Sequence, residues 1–415
     1  MNAMTLHPES GVRARRASLV VLVCAVAPVP YPGADVVVPL AVGLVILAAL
    51  AVDPARRASV QCALPIVLAV LATSSAVWSL LPLNTLRGGG QLLLLAAAAW
   101  NVARTHTLDE IVLAAAVAFR MLLVVSLMLA LIRPDLGLVT ESYEAGAVKG
   151  IFNHRNLFAF VSTLALVTAW ATRGLQSRHA VNGDLGLALF CLAAGQSQSS
   201  FVVVGAVVAA WAVVRVVRAF GGAMRGVLLM ITLGGATGGI LWAVSSLPLL
   251  VEGLGRDVTL TGRTVIWQAV IEAADERPLL GAGWNAVWHD GFALTNRIWS
   301  STGFAIYQAH NGYLDVYFQL GAVGLAILVA IVVTAIVRSV RLATADSVPS
   351  ACWPLLVTVG MTVANLTESR FPTSIGWLFM CLAYVYALSA GRDRTGLDDR
   401  LEPPRDPRPA ERGRR

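Results

Sequence analysis

Long, continuously apolar runs separated by short polar segments dominate the 415-residue chain. A helix that crosses a bilayer needs about 20 mostly apolar residues, and most of the runs approach that length. The strands of a membrane barrel would instead alternate apolar and polar residues. The pattern therefore predicts about twelve transmembrane helices, at 18–31, 34–52, 61–81, 88–103, 110–132, 155–173, 184–197, 200–218, 226–247, 311–337, 350–367 and 372–390.

Composition and charge agree with this pattern. Hydrophobic residues make up 57% of the chain and charged residues 13%, whereas a soluble domain carries about 25% charged residues. An all-α integral membrane protein is therefore expected. The net charge of +7 comes largely from arginine clusters between the apolar runs. The positive-inside rule accounts for such clusters, so a nucleic-acid partner is not indicated.

Placing the arginine clusters in the cytoplasm predicts the domain organisation. Residues 1–17 form a cytoplasmic N-terminus, 18–247 carry helices one to nine, and 310–391 carry helices ten to twelve. Residues 248–309 form a large extracytoplasmic loop with an amphipathic helix between helices nine and ten. Residues 392–415 form a disordered cytoplasmic tail, because they are charged and rich in proline. The expected location is the cell (cytoplasmic) membrane, with the unusual polar segments on the extracytoplasmic side.

A histidine precedes the tenth apolar run, in the stretch HNGYLDVYFQLGAVGL. A helix that begins at His310 would place Gly321 and Gly324 on the same side, where small residues let a neighbouring helix approach. Asn311 would lie within reach of the ring or of a substrate hydroxyl, and Asp315 would face outer water. The positive end of the helix dipole disfavours the protonated form of a histidine there. The neutral imidazole can then accept a proton. Two interpretations of His310 remain open: a general base, or an interfacial histidine that caps the helix.

Two further polar segments carry candidate binding residues. Arg263 stands in the first turn of the amphipathic helix, where free backbone N–H groups attract anions. A ligand anion, a lipid headgroup or a cation–π pair with Trp267 would each explain an arginine there. His154, Arg155 and Asn156 precede the sixth predicted helix, either as substrate-binding groups or as a cap with a snorkelling arginine.

These stretches together resemble the O-antigen ligase and polymerase-like membrane proteins. His310-Asn311, nine residues and then Gly-Ala-Val-Gly at 321–324 fit that family's signature. Glu368 falls where members often carry an acidic residue. The stretches similar to other family motifs are Gly262-Arg263 with Trp267, PLLGAG at 278–283, His154-Arg155-Asn156 and VWSLLP at 77–82.

The resemblance implies a GT-C-like enzyme that needs neither metal nor cofactor. It would move a saccharide from a polyprenyl-diphosphate carrier to the hydroxyl of a glycan, lipid or protein acceptor, among membrane lipids. His310 would deprotonate the acceptor, and Arg263 would stabilise the departing diphosphate. The candidate substrate-binding residues are Arg155, His154, Asn156, Asn311, Arg87, Glu368 and Trp267.

One departure from the family pattern keeps alternatives open. Members often carry a basic residue in the stretch that here reads SQSSF, 197–201, so its task would pass to Arg155, Lys149 or Arg87. A non-catalytic component of a polysaccharide export system is one alternative. A transporter or flippase is another, because twelve helices suit one and Arg120 lies deep within a predicted span.

Overall fold

The computed structural model describes residues 19–24, 62–140, 145–221, 224, 226–227 and 260–389. Within these ranges the chain is helical, with two isolated β-bridges and no β-strand. The all-α prediction is therefore confirmed for the described chain. Several predicted features lie wholly or mostly outside the described residues: the termini 1–17 and 392–415, the helices at 18–31, 34–52 and 226–247, and residues 248–259 of the loop.

The described helices of ten or more residues are numbered in chain order. They are α1 (Ala63–Ser74), α2 (Pro82–Thr105), α3 (Leu108–Ile132), α4 (Arg155–Ala171), α5 (Arg178–Ala194), α6 (Gln198–Ala219), α7 (Leu260–Ala274), α8 (Ala293–Thr302), α9 (Gly312–Ala345), α10 (Trp353–Ala364) and α11 (Ser374–Ser389). Among the described helices, α3, α6 and α9 are long and apolar enough to cross a membrane. The shorter α1, α4, α10 and α11 are also apolar, and the total of about twelve spans stays a prediction.

Capping residues determine where several of these helices begin. The side chain of Thr107 accepts a hydrogen bond from the N–H of Glu110, whose carboxylate accepts one from the N–H of Thr107, so α3 starts with a capping box. Asn311 accepts hydrogen bonds from two backbone N–H groups in the first turn of α9. Asparagine is among the best helix caps. The prediction that His310 lies in the helix is therefore wrong, because α9 begins two residues later.

The helix α11 occupies the centre of the described bundle and packs against α2, α9 and α10. Its residues from 375 to 387 are all buried, as expected for a helix that is apolar around its whole circumference. Trp377 donates from Nε1 to the carbonyl of Leu92, 2.9 Å away. Its N–H is thus satisfied inside the core. This central position also fixes the loop between α10 and α11, at 365–373.

An ion pair links α3 to α5. Arg120 donates from Nε and Nη2 to the two carboxylate oxygens of Asp184, at 2.6 and 2.7 Å. Ionised side chains within a membrane segment are expensive unless they are paired, and bidentate pairing is the strongest form for a guanidinium. The pair gives Arg120 a structural role between α3 and α5.

The helix α9 is interrupted at Gly321, which has φ +64° and ψ −166°. At this interruption the N–H groups of 322 and 323 donate to the carbonyls of Pro278 and Leu279, at 2.8 and 3.2 Å. The carbonyls of 318 and 319 accept from the N–H groups of 282 and 283, at 3.1 and 2.9 Å. Four hydrogen bonds with the 278–283 turn therefore replace two helical ones, and they satisfy these four backbone groups of α9, as a bilayer requires.

Glycine is required at this junction because backbones touch. A Cβ atom at Gly321 would overlap the backbone of Leu279, and one at Gly281 would overlap the backbone of residue 319. The predicted close approach at Gly321 is therefore confirmed, but its partner is the PLLGAG turn and not a neighbouring helix. The WSLLP stretch docks on the same turn, since Trp78 Nε1 donates to the carbonyl of residue 280, at 3.1 Å. Three motifs that are far apart in sequence thus form one junction.

Candidate functional site

The carboxylate of Glu368, in the loop between α10 and α11, is the centre of a buried polar cluster. Its Oε1 accepts a hydrogen bond from Asn156 Nδ2 at 2.8 Å and lies 3.2 Å from Arg263 Nη2. Its Oε2 lies 3.4 Å from His310 Nδ1 and 3.4 Å from Arg370 Nη2. Four segments of the chain therefore meet at one side chain that is only 4% exposed.

Electrostatics keep this carboxyl ionised. Burial by itself raises the pKa of Glu368, but the positive charge of Arg370, the hydrogen bond and charge of His310, and the charge of Arg263 outweigh burial. The pKa is lowered to about 2. Glu368 is therefore a permanent anion near neutral pH and acts only as a hydrogen-bond acceptor.

His310 lies just before α9, in the left-handed backbone region with φ +50°. Its Nδ1 faces Oε2 of Glu368, and the side-chain amide of Gln308, whose Nε2 lies 3.4 Å from this nitrogen, donates to the same carboxylate oxygen at 3.3 Å. A carboxylate partner favours the tautomer that carries its proton on Nδ1. In that tautomer Nε2 keeps its lone pair and can accept a proton.

Arg263 and His310 converge, as the catalytic hypothesis requires. The side chain of Arg263, on α7, is 22% exposed and contacts Oε1 of Glu368, whereas His310 contacts Oε2. The guanidinium of Arg263 and the imidazole of His310, which come from different segments of the chain, therefore flank one carboxylate. Arg263 does not line the large cavity that His310 lines, although the two side chains are similarly exposed, at 22% and 26%.

A cavity of about 690 Å³ opens beside His310. This volume falls within the range of about 300–1,000 Å³ that is usual for ligand sites. Its lining combines aromatic, amide and charged side chains. They include His154, His310, Glu368, Arg370, Gln91, Asn153, Asn285, Gln319, Trp284, Trp288 and Tyr307.

Four of the predicted binding residues take other positions. Trp267 Nε1 donates to the carbonyl of Ala309 at 3.0 Å, so its indole holds the loop before His310. Asn311 caps α9. Arg155 donates from Nη1 to the carbonyl of residue 196, and Arg87 is exposed near the start of α2. Of these described residues, none lines the cavity. His154 does line it, and its Nδ1 accepts from the N–H of residue 156 at 3.1 Å.

Arg370 belongs to this cluster, although no motif in the sequence pointed to it. This side chain is 7% exposed, contacts Glu368, and has its guanidinium 5.3 Å from the centroid of the Phe160 ring. It also lines a narrow cleft with Ser199 and Ser200. A cation therefore does lie beside the serine stretch, although it comes from another segment. The sequence feature that could have indicated Arg370 as a site residue is its position two residues after Glu368.

The expectation that Asp315 faces outer water is wrong. This side chain is 1% exposed. It accepts hydrogen bonds from Trp288 Nε1 at 2.7 Å, from the N–H of Ala309 at 3.1 Å, and from the hydroxyl of Ser369. Helical periodicity gave its direction around α9, but not the polypeptide segments that cover it.

Comparisons with known proteins place this geometry in a wider context. Residues 185–329, which include Arg263 and His310, match the family model described as Wzy_C, O-antigen ligase. Over 200 residues the chain is 32% identical to the exopolysaccharide production protein ExoQ of Rhizobium meliloti (strain 1021). That alignment covers 45% of this chain and 45% of the relative, so it spans less than half of either protein. Both matches support the resemblance to this family over the residues that they cover.

Proposed function

We propose that this chain, a relative of the O-antigen ligase and polymerase-like membrane proteins, transfers a saccharide from a polyprenyl diphosphate to an acceptor hydroxyl. The reaction takes place on the extracytoplasmic side of the membrane. One observation carries the proposal: Arg263 and His310 contact the two oxygens of the same buried carboxylate, Glu368. A proton acceptor and a phosphate-binding cation therefore stand within one site.

His310 acts as the general base in this mechanism. Its Nε2 takes the proton of the acceptor hydroxyl as the acceptor oxygen attacks the anomeric carbon of the donor saccharide. Glu368, next to Nδ1, stabilises the imidazolium that forms and holds the ring in its orientation. Glu368 remains ionised throughout, because its pKa lies near 2. The proton therefore stays on the histidine until it is released to water.

Arg263 stabilises the leaving group, and the buried charge of Arg370, which lies on the Oε2 side of Glu368, adds to the positive potential of the site. The bond between the anomeric carbon and the diphosphate oxygen breaks, and the electron pair leaves with the diphosphate. Two guanidinium groups contact the single carboxylate of Glu368, so this carboxylate does not neutralise both positive charges. Fixed positive charge of this kind favours a transition state in which anionic charge builds up. Arg263 is partly exposed and can therefore exchange a carboxylate contact for a phosphate one.

The cavity beside His310 holds the acceptor. Its polar amides can bind hydroxyl groups, and its aromatic side chains offer flat apolar faces for sugar rings. The acceptor enters on the side of Oε2 of Glu368, where His310 lies, and the diphosphate lies on the side of Oε1, where Arg263 lies. In this arrangement the acceptor oxygen approaches from the side of His310, and the diphosphate departs on the side of Arg263.

The test uses the lipid-linked saccharide that accumulates in cells lacking the gene. The purified protein, its His310→Ala and Arg263→Ala variants, and two controls are compared for release of polyprenyl diphosphate and growth of the glycan. Both variants should reach the membrane and lose at least about 100-fold of the transfer rate. The matched controls His179→Ala, an exposed histidine, and Arg297→Ala, whose arginine pairs with exposed Glu276, should retain it. Full transfer by His310→Ala would remove the proposal.

A further inference from the structure

A buried carboxylate joins the two loops that carry the proposed catalytic groups. Asp315, in the first turn of α9, accepts from the N–H of Ala309 and from the hydroxyl of Ser369 through Oδ2. Ala309 precedes His310 in the chain, and Ser369 follows Glu368. A single side chain therefore connects the backbone next to the base with the side chain next to its carboxylate partner.

The backbone at His310 needs such support. A φ of +50° is uncommon for a residue with a Cβ atom, and it persists only where the surroundings hold the chain in place. The preceding residue, Ala309, is held on both sides: its N–H donates to Asp315 at 3.1 Å, and its carbonyl accepts from Trp267 Nε1 at 3.0 Å. On the other side of His310, Asn311 is fixed as the cap of α9.

A third contact extends this arrangement to the cavity. Trp288, which lines the cavity, donates from Nε1 to Oδ1 of Asp315 at 2.7 Å. All three partners of Asp315 are hydrogen-bond donors, and only a carboxylate accepts through both of its oxygens. An asparagine would have to turn its NH₂ group towards one of the donors. The position at the N-terminus of α9 also favours a negative charge.

We propose that Asp315 is a positioning residue for the transfer reaction, which sets the distance between His310 and Glu368 and couples that distance to the cavity wall at Trp288. The inference rests on the proposed function. Asp315 borders the cavity proposed for the acceptor, but it is only 1% exposed and its hydrogen bonds go to Trp288, Ala309 and Ser369. Its loss should therefore slow the chemical step and leave donor binding largely intact.

The experiment measures kcat and KM separately for full-length protein in lipid nanodiscs, with the same lipid-linked saccharide. Asp315→Asn should lower kcat by at least about tenfold and change KM for the donor by less than about twofold, because geometry at the base is lost and donor contacts are kept. Asp275→Asn is the matched control, since this exposed aspartate also accepts from an aromatic side chain, Tyr317 Oη, at 3.0 Å. It should leave both constants unchanged.

Three outcomes separate the possibilities. The kcat of each variant is calculated per folded molecule, with the folded fraction taken from size-exclusion chromatography. A wild-type kcat for Asp315→Asn overturns the positioning role. If His310→Ala is inactive in the same assay, the proposed function still stands. An active His310→Ala overturns the proposed function itself. If Asp315→Asn does not fold, Ser369→Ala decides: it removes one donor to Asp315 and should lower kcat several-fold at constant KM, and an unchanged kcat overturns the inference.

Discussion

Replacing Glu368 by glutamine removes the charge at the centre of the site and keeps its shape. Burial raises the pKa of this carboxyl, but Arg370, His310 and Arg263 lower it from 4.5 to about 2 in the folded protein. One pKa unit corresponds to about 1.4 kcal/mol, so the charged form contributes roughly 3 kcal/mol to stability at neutral pH. Because the folded pKa is the lower one, this contribution is complete above about pH 4.5 and is lost as the pH falls towards 2.

Unfolding of the purified protein in detergent, followed between pH 7 and pH 2.5, measures this contribution. Glu368→Gln should be less stable than the wild type by roughly 3 kcal/mol at pH 7, and the difference should shrink below pH 4.5. Glu276→Gln is the control: its side chain is 55% exposed beside Arg297, and water screens such a pair. It should unfold like the wild type. Equal stability of Glu368→Gln and wild type at pH 7, or a difference that stays constant to pH 2.5, would refute the electrostatic argument.

Two further predictions concern the helices that frame the site. Gly321→Ala should cost at least about 2 kcal/mol and reduce the yield of folded protein in membranes, because its Cβ would overlap the backbone of Leu279. Gly90→Ala, at a helical position with open space around it, should be neutral or stabilising, and a Gly321→Ala variant as stable as Gly90→Ala would contradict the junction. In a double-mutant cycle, Arg120→Ala and Asp184→Ala should show a coupling of about 1 kcal/mol or more in unfolding, whereas additive effects would exclude a stabilising pair.

Much of the helical framework could be predicted from the chain alone. The predicted span at 110–132 differs from α3 by two residues at its start, and the span at 155–173 differs from α4 by two at its end. Apolar length and capping residues act within one or two turns of a helix, so they are readable locally. The start of α9 was misplaced although its signal is also local: Asn311 was considered as a ligand and not as a cap.

The candidate site could be predicted only in part. The resemblance and the polar segments singled out His310, Arg263, Asn156 and Glu368, and the structure brings these four together. It does not bring Arg87 or Asn311 to them. Those two residues fit the chemical type of a binding group, but chemical type does not decide which way an element turns once it packs.

The partners of each charge depend on contacts between segments that are far apart in the sequence. Arg370 beside Ser200, Asp315 beneath the loop at 309 and Asp184 opposite Arg120 all belong to such pairs. Helix periodicity fixes the angular position of a side chain on its own helix within a few residues. What then covers that side chain is set by the packing of the whole bundle, where close-packed helices and glycine junctions leave one arrangement for the buried charges.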